Sequence, residues 1–362
     1  MYSSEVAMKR IVGILLIASS ACCLHLSECG EGRNEPDMKA YRLVEVATSD
    51  MQWTGVAVSR EGRIFVNYPR WSRSIPFSVG EMLKPGDVRP YPDQEWNVWD
   101  PSLSPMNRFV CVQSVYIDDN DDLWILDPAS PMLQGVVTGG PKLVKVDLSS
   151  DEVVQTFLFD STIAGRNSYL NDVRVDTEKG VAYITDSGTG AIIVTDLATG
   201  ENRRLLETHH STRAEQIELT IAGNPFPIVV HSDGIALDVK GGCLYYQALT
   251  GRNLYRIETK RLLDRTIPEG ELPDFVEHVG TFGASDGLLF MNGHVYLTSI
   301  EQNAIKRVDT VGEALIAVQD SLLEWPDSFS RGPGGSIYVT TSRIGFPPRE
   351  RPCRLFKLVP SS

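Results

Sequence analysis

Polar residues that could hold a cation recur at one kind of place in this sequence, immediately ahead of runs in which apolar residues alternate. The pairs at these places are Trp53-Thr54, Val112-Gln113, Asn171-Asp172, Ser232-Asp233, Ser285-Asp286 and Pro326-Asp327. Carboxylates and carboxamides supply hard oxygen donors. If Gln113, Asn171, Asp172, Asp233, Asp286 and Asp327 converge, they could ligate Ca²⁺ or hold an organic cation beside an aromatic face such as Trp53. The plainer reading is that Asp or Asn at a strand start bonds nearby backbone and fixes a turn. That reading weakens for the set as a whole, because crowded carboxylates repel unless a cation, water or a raised pKa relieves them. His231 stands just before Ser232-Asp233 and is the one candidate proton acceptor, with a structural histidine as its plainer reading.

Other chemistry finds little support. The acidic run Asp118 to Asp122 lacks the Gly at the sixth and Glu at the twelfth position of a calcium-binding helix-loop-helix, so it reads as a hairpin turn. The remaining histidines show no ligand spacing. There is no Cys-x-x-Cys pair, no Gly-x-Ser-x-Gly elbow and no phosphate-cradling glycine loop.

What must position the candidate residues is a repeat. An apolar alternating run, a turn carrying Asp or Gly, and a second alternating run occur six times, starting at 55, 114, 172, 234, 287 and 328, at intervals of 59, 58, 62, 53 and 41 residues. Val, Ile, Tyr and Phe at period two around residues that tolerate positive φ make each copy a β-hairpin. Further strand patterns lie between copies, at 142–149, 152–160, 191–198, 253–259, 275–280, 304–310 and 314–319. The unit is therefore a four-stranded antiparallel blade, and six such units predict an all-β, six-bladed β-propeller. The last repeat has only one clear further strand, at 353–360, while the strand pattern at 41–48 precedes the first repeat without a partner. The two should pair, so that the N-terminal strand completes the last blade. Residues 71–99 and 208–230 read as long loops that could serve a protein-interaction platform.

Composition bounds the rest. The chain has 362 residues, 34 Lys+Arg against 47 Asp+Glu, a formal charge of −13, 42% hydrophobic and 22% charged residues. No basic stripe is available to displace phosphate counterions, so no nucleic-acid partner is expected. Lys9-Arg10, the apolar run 11–18 and Ser19-Ser20-Ala21 have the layout of an export signal, whose apolar stretch of roughly 7–15 residues is too short to span a bilayer. Cys22 gives a lipid anchor as the alternative to plain secretion, although Ser19 stands where a large aliphatic residue is expected. The expected organisation is a signal and processing region at 1–29, a flexible segment at 30–40 and one propeller domain at 41–362. Of six cysteines, Cys111, Cys243 and Cys353 lie in that domain; Cys243 reads as a buried small hydrophobe, and a Cys111–Cys353 disulfide is chemically allowed.

The repeats resemble the major royal jelly protein and yellow family, in the manner of its bacterial members. The likeness is carried by residues 54–72 (TGVAVSREGRIFVNYPRWS), 116–130 (YIDDNDDLWILDPAS), 172–207, 232–265, 285–310 and 325–347. It implies an exported six-bladed propeller. Insect members include nutritive proteins, pigment-pathway proteins and salivary binders of biogenic amines, so fold alone does not fix function. Asn120-Asp121 stands where many insect members have a cysteine. A more distant resemblance to gluconolactonase and regucalcin-like propellers, whose metal is held by Glu, Asn and Asp at inner-strand starts, implies Asn171 and Asp233 as metal ligands. Trp53-Thr54 stands where the Glu of that set is expected. The expectation is therefore a small-molecule binder, for a cationic or aromatic ligand at the channel. The alternative is a metal-dependent lactonase-like hydrolase using Ca²⁺, Zn²⁺ or Mn²⁺, with His231 as candidate base.

Overall fold

A computed structural model describes residues 41–346 and 351–361. The expected signal, the Cys22 anchor and the segment 30–40 lie outside the described residues. Among the described residues, no helix is long and apolar enough to cross a membrane.

Six four-stranded antiparallel sheets follow one another along the chain. Their innermost strands are Val56–Val58, Ser114–Ile117, Leu170–Asp176, Ser232–Asp238, Leu288–Met291 and Pro326–Gly332. Each packs against the innermost strand of the next blade, and the sixth packs against the first, so the sheets form a closed ring. This is a six-bladed β-propeller.

Burial follows position in the blade. In blade 3 the inner two strands, Leu170–Asp176 and Val181–Asp186, are buried along their whole length. The outer strand of blade 2, Glu152–Leu158, mostly alternates between exposed and half-buried residues, because only one of its faces meets a neighbour. The core is accordingly divided into wedges between blades. Tyr183 and Ile192 of blade 3 pack with Ile235 and Tyr246 of blade 4, and comparable clusters fill the other interfaces.

Ring closure matches the sequence expectation. Tyr41–Ser49 pairs antiparallel with Cys353–Pro360, from Tyr41 opposite Pro360 to Ser49 opposite Cys353. Arg354 Nε bonds Glu45 Oε2 at 2.9 Å, and Tyr41 Oη meets Tyr296 Oη of blade 5 at 3.2 Å.

Four local expectations change. The stretch 71–99 is not one loop, since it contains the outer strands of blade 1, Val79–Lys84 and Asp87–Pro90. Glu81 sits in that sheet, buried between Arg63 (2.7 Å) and Arg89 (2.7 Å), so charge pairing replaces the apolar signal. The stretch 208–230 carries a 3₁₀ turn, His210–Thr212, and a small hairpin, Leu219–Ile221 with Asn224–Phe226. Asp118 of the acidic turn is buried rather than solvated. Its Oδ1 accepts from the N–H groups of Asn120 (2.8 Å) and Asp122 (3.0 Å), and its Oδ2 from Trp124 Nε1 (2.8 Å). Cys111, Cys243 and Cys353 are free thiols, and Cys243 is only half-buried.

Deleting residues 41–49 leaves Cys353–Pro360 as an open sheet edge in a propeller that can no longer close. The expected outcome is aggregation on expression, or a Tm lower by about 10 °C or more, read by light scattering and thermal unfolding. A truncated chain as stable and monomeric as the full one would overturn this account of closure.

Candidate functional site

The starts of the inner strands gather at one mouth of the central channel. Gln113, Asn171, Asp233, Asp286 and Asp327 line a cavity of about 1130 Å³ there. Two glycines allow the close approach. A Cβ at Gly234 would lie 2.2 Å from the carbonyl oxygen of Asp286, and one at Gly287 would lie 2.0 Å from that of Asp327. The Asp-Gly pairs thus place each acid while clearing room for the acid of the following blade.

Threonines of the second strands add clasps between and within blades. Thr185 Oγ1 donates to the Asp233 carbonyl (2.6 Å), and Thr340 Oγ1 to that of Thr54 (2.6 Å). Thr298 Oγ1 accepts from the N–H groups of Asp286 and Gly287, both at 3.0 Å.

A hydrogen-bond chain runs from the rim to the acids. Trp71 Nε1 donates to Tyr169 Oη (2.7 Å), which donates to Gln113 Oε1 (2.9 Å). Gln113 Nε2 faces Asn171 Oδ1 at 3.4 Å, and Asn171 Nδ2 donates to Asp233 Oδ2 (2.8 Å) and Ser187 Oγ (3.0 Å). On the opposite side Trp325 Nε1 donates to Asp286 Oδ2 at 2.6 Å. Trp325 adopts a left-handed backbone, φ 54°, which costs on the order of 1 kcal/mol for a bulky residue.

Burial sets the electrostatics. It pushes the Asp233 carboxyl well above the usual range, with the charges of Asp286, Asp172 and Asp327 adding to the effect. Asp327 is raised for the same first reason, then by Asp286. Asp286 rises to about 7, again through burial, against the stabilising indole N–H of Trp325. Asp233 Oδ1 is buried without a hydrogen-bond partner. The arrangement is a set of carboxyls that hold protons near neutrality and take up Asp233 as the protonated member beside Asp286.

Three of the anticipated residues sit elsewhere. Trp53 is fully buried in the wedge between blades 6 and 1, its Nε1 bonded to the Thr341 carbonyl (3.2 Å), and it offers no face to the cavity. Asp172 lies deeper, held by Ser114 Oγ (2.9 Å) and facing Arg174 Nη2 at 3.6 Å. His231 is not part of the cavity wall. Its Nδ1 accepts from the Ala214 N–H (2.8 Å), and burial, then Arg213, lowers its pKa, so it stays neutral. The aromatic lining comes instead from Trp71, Tyr169, Trp325 and Phe346; Tyr169 and Trp325 stand directly ahead of the inner strands Leu170–Asp176 and Pro326–Gly332, just before the polar residues singled out from the sequence.

The amide N–H of Asn171, not its carbonyl oxygen, faces Asp233. Among the described residues, no three His, Cys, Asp or Glu side chains are grouped as a metal ion would need.

The model of the major royal jelly protein family matches residues 110–319, more than half of the sequence. The chain belongs to the major royal jelly protein family. Major royal jelly protein 7 of Apis mellifera is 25% identical over 197 residues, covering 51% of this chain and 42% of that protein. The dopaminechrome tautomerase of Drosophila melanogaster is 20% identical over 272 residues, covering 68% of this chain and 58% of that protein. The matches to such royal jelly relatives thus span about half of the relatives' own length. Among solved structures, a gluconolactonase from Xanthomonas campestris superposes with a TM-score of 0.56 at 14% identity, over 89% of this chain and 90% of that one. At that identity the likeness concerns the fold alone.

Carboxyls with raised pKa bind more protons folded than unfolded, so they withdraw stability as pH rises from the unfolded value near 4 through about 7 for Asp286. Asp286→Asn keeps an acceptor for the Trp325 indole and removes one titration. The variant is expected to gain roughly 1–3 kcal/mol over the wild type at pH 8 and little at pH 4, measured by denaturant unfolding across pH. An unchanged pH slope would mean that Asp286 holds no proton.

Proposed function

We propose that this royal-jelly-type propeller is an exported protein that binds a small aromatic cation at the acidic channel mouth. The observation that carries the reading is the trio Asp233, Asp286 and Asp327, buried together in a cavity wall, where burial first and neighbouring acids second raise their pKa values. The cationic side chains of that wall, Arg343 and Arg351, are both turned to Glu324, at 2.6 and 3.2 Å. An ammonium group supplies the missing charge, and the indole and phenol rings of Trp71, Tyr169 and Trp325 suit an aromatic body. The charged, apolar and small-residue order of residues 9–21 supports export.

A cation entering this site competes with protons, so affinity should fall as pH drops below about 7, the value for Asp286. Calorimetric titration of tryptamine, tyramine and phenethylamine at pH 6 and pH 8 is expected to show tighter binding at pH 8, with proton release. Asp233→Asn is expected to weaken binding about tenfold or more. Undiminished affinity in that variant would remove Asp233 from the site.

Elemental analysis of purified protein before and after chelator treatment distinguishes the lactonase alternative. About one Ca²⁺, Zn²⁺ or Mn²⁺ per chain, lost together with Asn171 and Asp233, would favour a metal-dependent hydrolase over an amine site.

The carboxyl pair supports a second reading, proton transfer on the bound ligand. Asp286 as carboxylate would take a proton from carbon, and Asp233 as carboxyl would give one to oxygen, which balances a tautomerisation. The fly dopaminechrome tautomerase among the relatives is in keeping with it. Turnover of dopaminechrome, followed by absorbance and abolished in Asp286→Asn, would carry this reading; amine binding without turnover leaves the binder.

A further inference from the structure

The inner strands have a second end. There a separate cavity of about 430 Å³ is lined by Arg60, Arg174 and Arg331, with Tyr116, Phe329 and Pro333 among its other walls. Arg174 is buried, its guanidinium 5.2 Å from the Tyr116 ring centre, while Arg60 is exposed at a hairpin turn and Arg331 is exposed near the end of the inner strand Pro326–Gly332.

The guanidinium groups find mostly neutral partners. Arg174 donates to the carbonyls of Val173 (2.6 Å) and Leu288 (2.8 Å), Arg60 to that of Asp119, and Arg331 to that of Phe290. Three carboxylates also border the cavity, and two of them are engaged by N–H groups. Asp118 is saturated by backbone N–H groups and the Trp124 indole, and Asp121 Oδ1 accepts from the Arg60 N–H (2.8 Å). The carboxylates near the guanidiniums stand at the long end of ion-pair distance, Asp172 at 3.6 Å from Arg174 and the exposed Asp119 at 3.9 Å from Arg331, which leaves the guanidinium forks free of bidentate carboxylate bonds. An arginine cannot shed its charge when buried. Hydrogen bonds to carbonyls satisfy its N–H groups, and Asp172 at 3.6 Å offsets its charge without a direct hydrogen bond.

We propose that this far cavity binds a small oxyanion, phosphate or carboxylate, held by Arg60, Arg174 and Arg331. The planar forks of the guanidiniums match either group, and two of the three sit on exposed stems that can turn toward a ligand. Because Arg174 also helps keep Asp172 ionised, and the charge of Asp172 adds to the raised pKa values of Asp233, Asp286 and Asp327, an anion here is electrostatically linked to the acidic mouth.

The test is calorimetric titration of the full chain with inorganic phosphate, and in a second arm with succinate, at ionic strength fixed with chloride. One saturable site per chain for either anion is expected. It should weaken tenfold or more in Arg60→Gln/Arg331→Gln and measurably in each single variant, which keeps a readout if the double variant folds poorly. The tighter arm identifies the oxyanion. Absence of saturable binding in both arms, or affinity unchanged in the variants, overturns the proposal. Either result is read without any amine in solution, so it stands or falls separately from the amine site.

Discussion

Everything at the axis depends on a ladder far from it, the pairing of Tyr41–Ser49 with Cys353–Pro360. A row of twisted sheets has two ends, and each end would leave an apolar wedge open to water. The pairing joins the first described strand to the last one, so the sixth inner strand comes to rest against the first. Only then do residues from blades distant in sequence face one another across a channel. The acidic mouth is thus a product of closure, and no blade contains it alone.

Closure has an electrostatic cost. It buries Asp172, Asp233, Asp286 and Asp327 within one narrow column, where desolvation and mutual repulsion favour protons over charges. The cation lying among them is Arg174, which reaches from blade 3 to the Leu288 carbonyl of blade 5 beneath Asp172. Asn171 lines the near cavity and Arg174 the far one, with Asp172 between them along the same strand. The axis therefore carries buried acids at one end and, at the other, a cavity where arginines and aspartates meet.

Much of this was legible in the sequence, for definite reasons. Period-two runs around tight turns marked five blades well, because inner strands buried between neighbours must be apolar. Blade 1 was partly hidden, since Glu81 is buried by ion pairing and Gly80 and Pro90 interrupt the pattern. The acids could be placed at strand starts, but their directions could not be read. Consecutive strand residues point to opposite faces, and a register shift between Leu170 and Val173 puts Asn171 at the mouth and Asp172 below it. Trp53 shares its position in the repeat with the acids yet turns into a wedge. One signal was present and unused: the triplets Tyr183-Ile184-Thr185, Tyr296-Leu297-Thr298 and Tyr338-Val339-Thr340 supply the threonine clasps that fix the ring.

The rim tryptophan gives the site a direction. An indole nitrogen can only donate, so Tyr169, having accepted from Trp71, must send its own proton onward to Gln113. That sets the carboxamide of Gln113 with its nitrogen toward Asn171, and Asn171 in turn offers nitrogen to Asp233. Each amide has two orientations of nearly equal shape, and a single one-way group at the entrance selects one for both. The grammar of the site, which atom gives and which receives at its floor, is dictated from its threshold.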